Sequence, residues 1–123
     1  MRISQRRYAD ILVLSPAGRL DHDSCGTFSA ELQPFVDEAQ AGRLIVLDLS
    51  ALEYVSSAGL RLIMLAGKQA NAQGGKILIA AMRPLVAEIF HISRFTMLFE
   101  IHPGVREALI AASPQAAAAF DLG

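Results

Sequence analysis

Two adjacent serines, Ser56 and Ser57, stand between an apolar strand and an apolar helix and are followed by Ala58 and Gly59. The start of a helix leaves backbone N–H groups unpaired and carries about half a positive charge, which favours a bound anion. A serine at this position commonly caps the helix through its hydroxyl oxygen. A phosphoserine there would also be stabilised in part by the same N–H groups. The pair therefore allows two interpretations, a helix cap or a phosphorylation site.

Neither serine fits the pattern of a catalytic nucleophile. The nucleophile elbow needs glycine two residues before and two residues after the serine, and Val55 occupies the first of these positions for Ser57. The histidines His22, His91 and His102 have neither triad nor metal-ligand spacing. The single cysteine is more typical of a small packing residue than of a redox centre. We therefore expect no catalytic residue, no metal and no cofactor.

The composition favours one globular domain that binds neither nucleic acid nor membrane. The chain has 123 residues, of which 53% are hydrophobic and 19% are charged. Its formal net charge of −1 gives no basic field for nucleic acid. The N-terminus lacks the apolar segment of a signal peptide, and the longest apolar stretch, near residues 60–67, is too short to span a bilayer. We expect a cytoplasmic protein without membrane insertion.

Hydrophobic periodicity predicts strands that alternate with helices. The predicted strands cover residues 3–8, 11–15, 43–49, 76–80 and 97–101. The predicted helices cover residues 24–39, 57–73, 84–91 and 103–112. A loop is expected at Pro16, Gly18 and Asp21, and Pro34 is expected to bend or end the first helix. The order predicts an α/β fold, a mixed central sheet flanked by about four helices.

Two segments keep alternative interpretations open. Residues 1–112 form the predicted domain, and the alanine-rich residues 113–123 either extend the last helix or fray. The helix over residues 57–73 is apolar on almost every side, so neighbouring helices bury its outer face or it offers an apolar patch to a partner.

The stretch from Asp48 to Leu65 resembles the signature of STAS domains, which are named for sulphate transporters and anti-sigma factor antagonists. The matching positions are Asp48, Leu49, Tyr54, Ser57, Gly59 and Leu60. In this resemblance Ser57 aligns with the phosphorylated serine of the antagonists. Ser56 stands where aspartate is frequent, and Ala58 where serine or threonine is frequent. Earlier in the chain, Gly18-Arg19-Leu20-Asp21 resembles the family's Gly-Glu-Leu-Asp, with Arg19 in place of glutamate.

The resemblance implies a partner switch and a set of residues that carry it. The unphosphorylated protein would bind an anti-sigma factor that is also an ATP-binding serine kinase, and so free a sigma factor. Phosphorylation of Ser57 would release the complex, and a phosphatase of the PP2C type would reset it. The residues expected at the partner-binding surface are Asp21, Ser56, Ser57, Ala58, Gly59, Leu60 and Arg61.

The same signature leaves two other functions open. Some small STAS proteins resemble accessory subunits of ABC-type lipid transporters and share the serine-alanine-glycine motif. A scaffold in a stress-sensing complex is the other alternative. Neither is an enzyme, and in the accessory subunit Ser57 would serve only as a helix cap.

Overall fold

The fold is taken from a computed structural model, which describes residues 1–94 and 97–123. The described residues form six strands and five helices. The strands are β1 (Arg2–Tyr8), β2 (Ile11–Leu20), β3 (Leu44–Asp48), β4 (Leu52–Val55), β5 (Lys76–Ala80) and β6 (Glu100–His102). The helices are α1 (Cys25–Asp37), α2 (Ser57–Ala72), α3 (Pro84–Ile92), α4 (Val105–Ala112) and α5 (Pro114–Leu122).

The sheet is mixed and runs in the order β1-β2-β3-β5-β6. β1 is antiparallel to β2, whereas β3, β5 and β6 continue the sheet in parallel. β4 lies off this path and pairs in parallel with the second half of β2. Because parallel strands end at the same edge, the ends of β2 and β4 lie together. The predicted α/β class with a mixed sheet is confirmed.

Helices cover both faces of the sheet. β3 is apolar without alternation because its side chains are buried on both faces. Ile45 and Leu47 pack in the core beneath α1, α2 and α3, and Val46 packs in the core beneath α4 and α5. These two layers fix α2, and with it the two serines, against the sheet.

The prediction of a loop at Pro16, Gly18 and Asp21 is wrong for Pro16 and Gly18, because β2 continues through both residues to Leu20. On one side β2 pairs with β3 through Leu14 and with β4 only from Gly18 onward. Pro16 lies in the gap between these two partners, where a missing N–H group costs no ladder hydrogen bond on that side. The segment after β3, for which the sequence predicts neither a strand nor a helix, contains the four-residue strand β4.

Three further boundaries differ from the prediction. The last strand covers residues 100–102 rather than 97–101. α1 contains the exposed Pro34, as the predicted range does, but ends at Asp37 rather than at residue 39. Residues 113–123 neither extend α4 nor fray, because α5 forms a separate helix that Ser113 caps by accepting a hydrogen bond from the Ala116 N–H at 3.3 Å. α5 packs on the sheet through the buried Ala116 and Ala117, which makes five helices instead of about four.

Candidate functional site

Ser56, and not Ser57, is the residue that caps α2. Its hydroxyl oxygen accepts a hydrogen bond from the Gly59 N–H at 3.1 Å. Its own N–H donates to the Leu20 carbonyl at the end of β2 at 2.8 Å. Ser56 therefore ties the first turn of the helix to the edge of the sheet. The cap interpretation of the sequence applies to Ser56, one residue before the position that the signature favours for phosphate.

Ser57 is the first residue of α2, and its side chain is exposed. Within the described part of the chain its hydroxyl group makes no hydrogen bond, whereas the Ser56 hydroxyl is occupied by the cap. The first N–H groups of the helix lie beside it, since a helix cannot pair them internally. An accessible hydroxyl at the positive end of a helix can accept a phosphoryl group and keep it in a favourable field.

Gly59 and Leu60 lie beneath this surface rather than on it. Both residues are buried, and Leu60 belongs to the core under α1, α2 and α3. A Cβ atom at Gly59 would lie 2.6 Å from Leu20 Cγ and 3.1 Å from Val55 Cγ2. Only glycine allows α2 to approach the ends of β2 and β4 so closely. The contacts of Gly59 and Leu60 are with the core of this chain.

Asp21 lies directly after β2 and organises the loop that leads into α1. Its carboxylate accepts hydrogen bonds from the Asp23 N–H at 3.1 Å and from the N–H and hydroxyl groups of Ser24, both at 3.2 Å. These bonds, first among them the one from the Ser24 N–H, lower the pKa of the Asp21 carboxyl group below its ordinary value. Asp21 is therefore an anion whose side chain holds a compact loop beside the start of α2.

Asp48, the first residue of the signature, has a similar structural role at the end of β3. Its carboxylate accepts hydrogen bonds from the Ser15 hydroxyl at 2.9 Å and from the Ser50 N–H at 3.0 Å. The carbonyl of Ser50 in turn accepts a hydrogen bond from Arg83 Nε at 2.8 Å. These contacts shape the turn from which β4 departs.

Arg19 and Tyr54 form a contact that sequence reasoning missed. They are paired across β2 and β4, and the Arg19 guanidinium lies 4.5 Å from the centre of the Tyr54 ring. This distance is that of a cation–π interaction. The pairing depends on β4, a strand that the sequence pattern did not predict. The signal was present in the four residues Leu52 to Val55, since leucine, tyrosine and valine are compatible with a short strand.

The fold brings most of the predicted site residues to one edge of the molecule. Asp21, Ser56 and Ser57 meet where β2 and β4 end, with Asp21 and Ser56 half-buried and Ser57 exposed. Ala58 is exposed beside them, and Arg61 is exposed one turn further along α2. The histidines do not join this edge as ligands: the described residues hold no group of three His, Cys, Asp or Glu side chains that could bind a metal. Over those same residues, each helix is too short or too polar to cross a membrane.

Comparison with known proteins identifies the family. The chain matches the family model described as Mlab, STAS domain, over residues 3–100. It is 34% identical over 112 residues to a protein of Bordetella bronchiseptica named "Putative anti-sigma factor antagonist BtrV", and the alignment covers 91% of this chain and 94% of BtrV.

Solved structures show the same fold. An anti-sigma factor antagonist from Mycobacterium paratuberculosis has a TM-score of 0.80 at 21% identity, covering 90% of this chain and 92% of that protein. The Bacillus cell fate determinant SpoIIAA, in its phosphorylated form, has a TM-score of 0.68 at 16% identity, covering 91% and 100%. Because the family match spans most of the chain, this protein belongs to the STAS domain family, as the resemblance of its sequence predicted, and it is similar in sequence and fold to anti-sigma factor antagonists.

Proposed function

We propose that this protein is an anti-sigma factor antagonist that is switched by phosphorylation of Ser57. The single observation that carries the proposal is the state of the two hydroxyl groups. The Ser56 hydroxyl is engaged as the cap of α2, whereas the Ser57 hydroxyl is exposed and makes no hydrogen bond within the described residues. The likeness to BtrV and to SpoIIAA, a protein with a known phosphorylated form, supports the same function.

The partner in this proposal is an anti-sigma factor that is also a serine kinase. The unphosphorylated chain binds it and so frees a sigma factor. The kinase then transfers the γ-phosphoryl group of ATP to the Ser57 hydroxyl oxygen, ADP leaves, and the hydroxyl proton passes to a base of the kinase. A PP2C-type phosphatase hydrolyses the phosphoserine and resets the switch. Because the kinase needs ATP, the switch operates in the cytoplasm, and this chain is a substrate rather than an enzyme.

The exposed and half-buried members of the predicted set form the proposed contact surface. Ser57, Ala58 and Arg61 are exposed on α2, and Asp21 and Ser56 border them. Gly59 and Leu60 support this surface from below, because their contacts are with Leu20, Val55 and the core. A substitution of Gly59 or Leu60 would therefore act through the position of the helix.

Charge is the proposed cause of release. A phosphate adds a charge of about −1.5 to −2 at neutral pH. At a packed interface this charge must lose water, and an uncompensated buried charge costs several kcal/mol. Each 1.4 kcal/mol corresponds to about tenfold in affinity. A weakening of about a hundredfold therefore needs about 3 kcal/mol, which is within the cost of one such charge.

The test separates the two serines. The wild-type chain, Ser57→Ala and Ser56→Ala are each incubated with ATP and the anti-sigma factor kinases encoded in the source genome. We expect one phosphate on the wild type and on Ser56→Ala, mapped to Ser57 by mass spectrometry, and none on Ser57→Ala. Modification of Ser56 instead would move the site by one residue. If these kinases neither bind nor modify the wild-type chain, and a transporter ATPase binds it, the accessory-subunit alternative replaces the switch.

A further inference from the structure

An exposed stripe of charged and apolar side chains runs along α2 away from Ser57. The stripe consists of Arg61, Leu65 and Lys68, all of which are exposed. Together with Ser57 they follow spacings of four, four and three residues, which place them on one face of a helix. From Ser57 to Lys68 the face extends about 16 Å, at about 1.5 Å per residue. We propose that this stripe is the part of the anti-sigma factor contact that fixes partner choice, and that the partner surface opposite it is acidic.

The two cations of the stripe are not neutralised by this chain. α2 contains no acidic residue between Ser57 and Ala72. Across residues 1–94 and 97–123, neither Arg61 nor Lys68 forms an ion pair. Glu100 borders the same small cavity as Lys68, but its carboxylate already accepts from Lys76 Nζ at 3.0 Å and contacts His102 Nε2 at 2.8 Å. Two unpaired cations on a chain with a net charge of −1 form a local feature rather than a general basic surface.

Leu65 lies between the two cations and gives the stripe an apolar centre. Its side chain is 45% exposed, although most leucines of the chain are buried. A partner surface that is complementary to the stripe therefore carries an apolar side chain opposite Leu65 and a carboxylate opposite each of the two cations. Such an arrangement steers the encounter and fixes the orientation of the partner. The loop at the other end of the site is acidic, with Asp21 and the exposed Asp23, so the two ends have opposite charge.

Arg61 also connects the stripe to the phosphorylation site. It follows Ser57 by four residues, the spacing at which side chains on a helix meet. A phosphate on Ser57 would attract the Arg61 guanidinium through charge-assisted hydrogen bonds. The same phosphate would repel a partner carboxylate that Arg61 contacts in the unphosphorylated complex. This inference rests on the proposed function: the phosphate would compete with the partner carboxylate for Arg61, in addition to its electrostatic cost at the interface.

Charge reversal tests the stripe. The variants are Arg61→Glu and Lys68→Glu, with Arg6→Glu as the matched control, because Arg6 is an exposed cation on the edge strand β1. Glutamate is a good helix former, so α2 should persist, and thermal unfolding of each variant checks this. Affinity for the purified kinase that phosphorylates the wild-type chain is measured by titration at two salt concentrations.

We expect each reversal on α2 to weaken binding by about tenfold or more, and the salt dependence of binding to decrease. Arg6→Glu should change affinity by less than about twofold. If the wild type binds and releases on phosphorylation but the reversals on α2 match Arg6→Glu, the stripe, including Arg61, is not part of the contact, whereas the switch at Ser57 stands. If no anti-sigma factor kinase binds or phosphorylates the wild-type chain, both the stripe and the switch are overturned.

Discussion

Replacement of Gly59 by alanine tests whether the position of α2 depends on its close approach to the sheet. The added methyl group would lie 2.6 Å from Leu20 Cγ, 2.9 Å from Leu20 Cδ2 and 3.1 Å from Val55 Cγ2. Carbon atoms that are not bonded prefer a separation of about 3.5–4.0 Å. Leu20 and Val55 are 0% and 1% exposed, so neither side chain has space into which to turn. The start of α2 must therefore move outward by about 1 Å.

The change in the free energy of unfolding caused by Gly59→Ala is the balance of two opposite effects. Alanine is favoured over glycine in a helix interior by about 1 kcal/mol, and by less than this in the first turn, where Gly59 lies. Overpacking of a close-packed core costs about 1–3 kcal/mol. We expect a net decrease of about 1–2 kcal/mol in the free energy of unfolding. For a chain of this length that corresponds to a decrease of about 4–8 °C in Tm.

Gly26→Ala is the matched control for this substitution. Gly26 lies in the first turn of α1, and a Cβ atom there would meet no other atom within 4 Å. The control gains helix propensity without a clash, so its Tm should be unchanged or slightly higher. Tm is measured by circular dichroism, and phosphorylation of Ser57 is measured in parallel because an outward shift of α2 displaces that residue. A Gly59→Ala protein as stable as Gly26→Ala would refute the packing argument.

Four other substitutions have expected outcomes. Ser56→Ala should lower the free energy of unfolding by about 1 kcal/mol through loss of the cap, whereas Ser57→Ala should leave it nearly unchanged, as measured by urea unfolding; equal losses would contradict the assignment of the cap. Phe120→Ala should cost about 2 kcal/mol in the same assay, less than the 3–5 of a fully buried phenylalanine, because Phe120 is half-buried against the Tyr8 ring at a centroid distance of 5.3 Å. Hydrogen bonds lower the pKa of Asp21 in the folded chain, so the unfolded chain binds more protons, and the stability that Asp21 contributes is lost as pH falls through and below its ordinary value of 3.8. Asp21→Asn should therefore reduce the loss of stability on acidification, and an unchanged pH profile would contradict this role.

The fold class was predictable because the buried strands and the helices have strong and different hydrophobic patterns. β3 and β5 are continuous apolar runs, and α3 is introduced by Pro84 at its first position, as expected from the sequence. β4 was missed because four residues are too few for a periodic signal, and its pairing with β2 is a tertiary contact. The path of β2 through Pro16 has the same origin, since Pro16 lies where β2 changes from pairing with β3 to pairing with β4.

The alanine-rich end of the chain shows a second limit of sequence patterns. Alanine favours a helix but contributes little to a hydrophobic stripe, so residues 113–123 had no clear periodic signal. The packing of Ala116 and Ala117 depends on the sheet face that they cover, a face formed by residues as distant in sequence as Ile11 and Leu78. Such a contact can be found only once the sheet is assembled.

The position of the candidate site was also predictable, but not which serine caps the helix. Two adjacent serines before the same helix give the same pattern: the signature favoured Ser57 for phosphate, and the alternative interpretation of Ser57 as the helix cap is wrong because Ser56 caps α2. The assignment depends on one tertiary hydrogen bond, from the Ser56 N–H to the Leu20 carbonyl, which fixes where α2 begins. Once Ser56 is held by this bond and by its cap, Ser57 is left as the exposed hydroxyl group.

The fixed position of the start of α2 determines whether a phosphate on Ser57 would change the domain itself or its interface with a partner. Three contacts fix the start of α2. They are the cap formed by Ser56, the hydrogen bond from the Ser56 N–H to the Leu20 carbonyl, and the packing of Gly59 on Leu20 and Val55. The N–H groups and the positive dipole end of α2 would stabilise a phosphate on Ser57, so we expect the first turn of the helix to stay wound. We therefore expect the phosphorylated domain to keep the arrangement of its core. In the proposed switch, the free-energy cost of the charge would then fall on the partner surface that packs against Ser57.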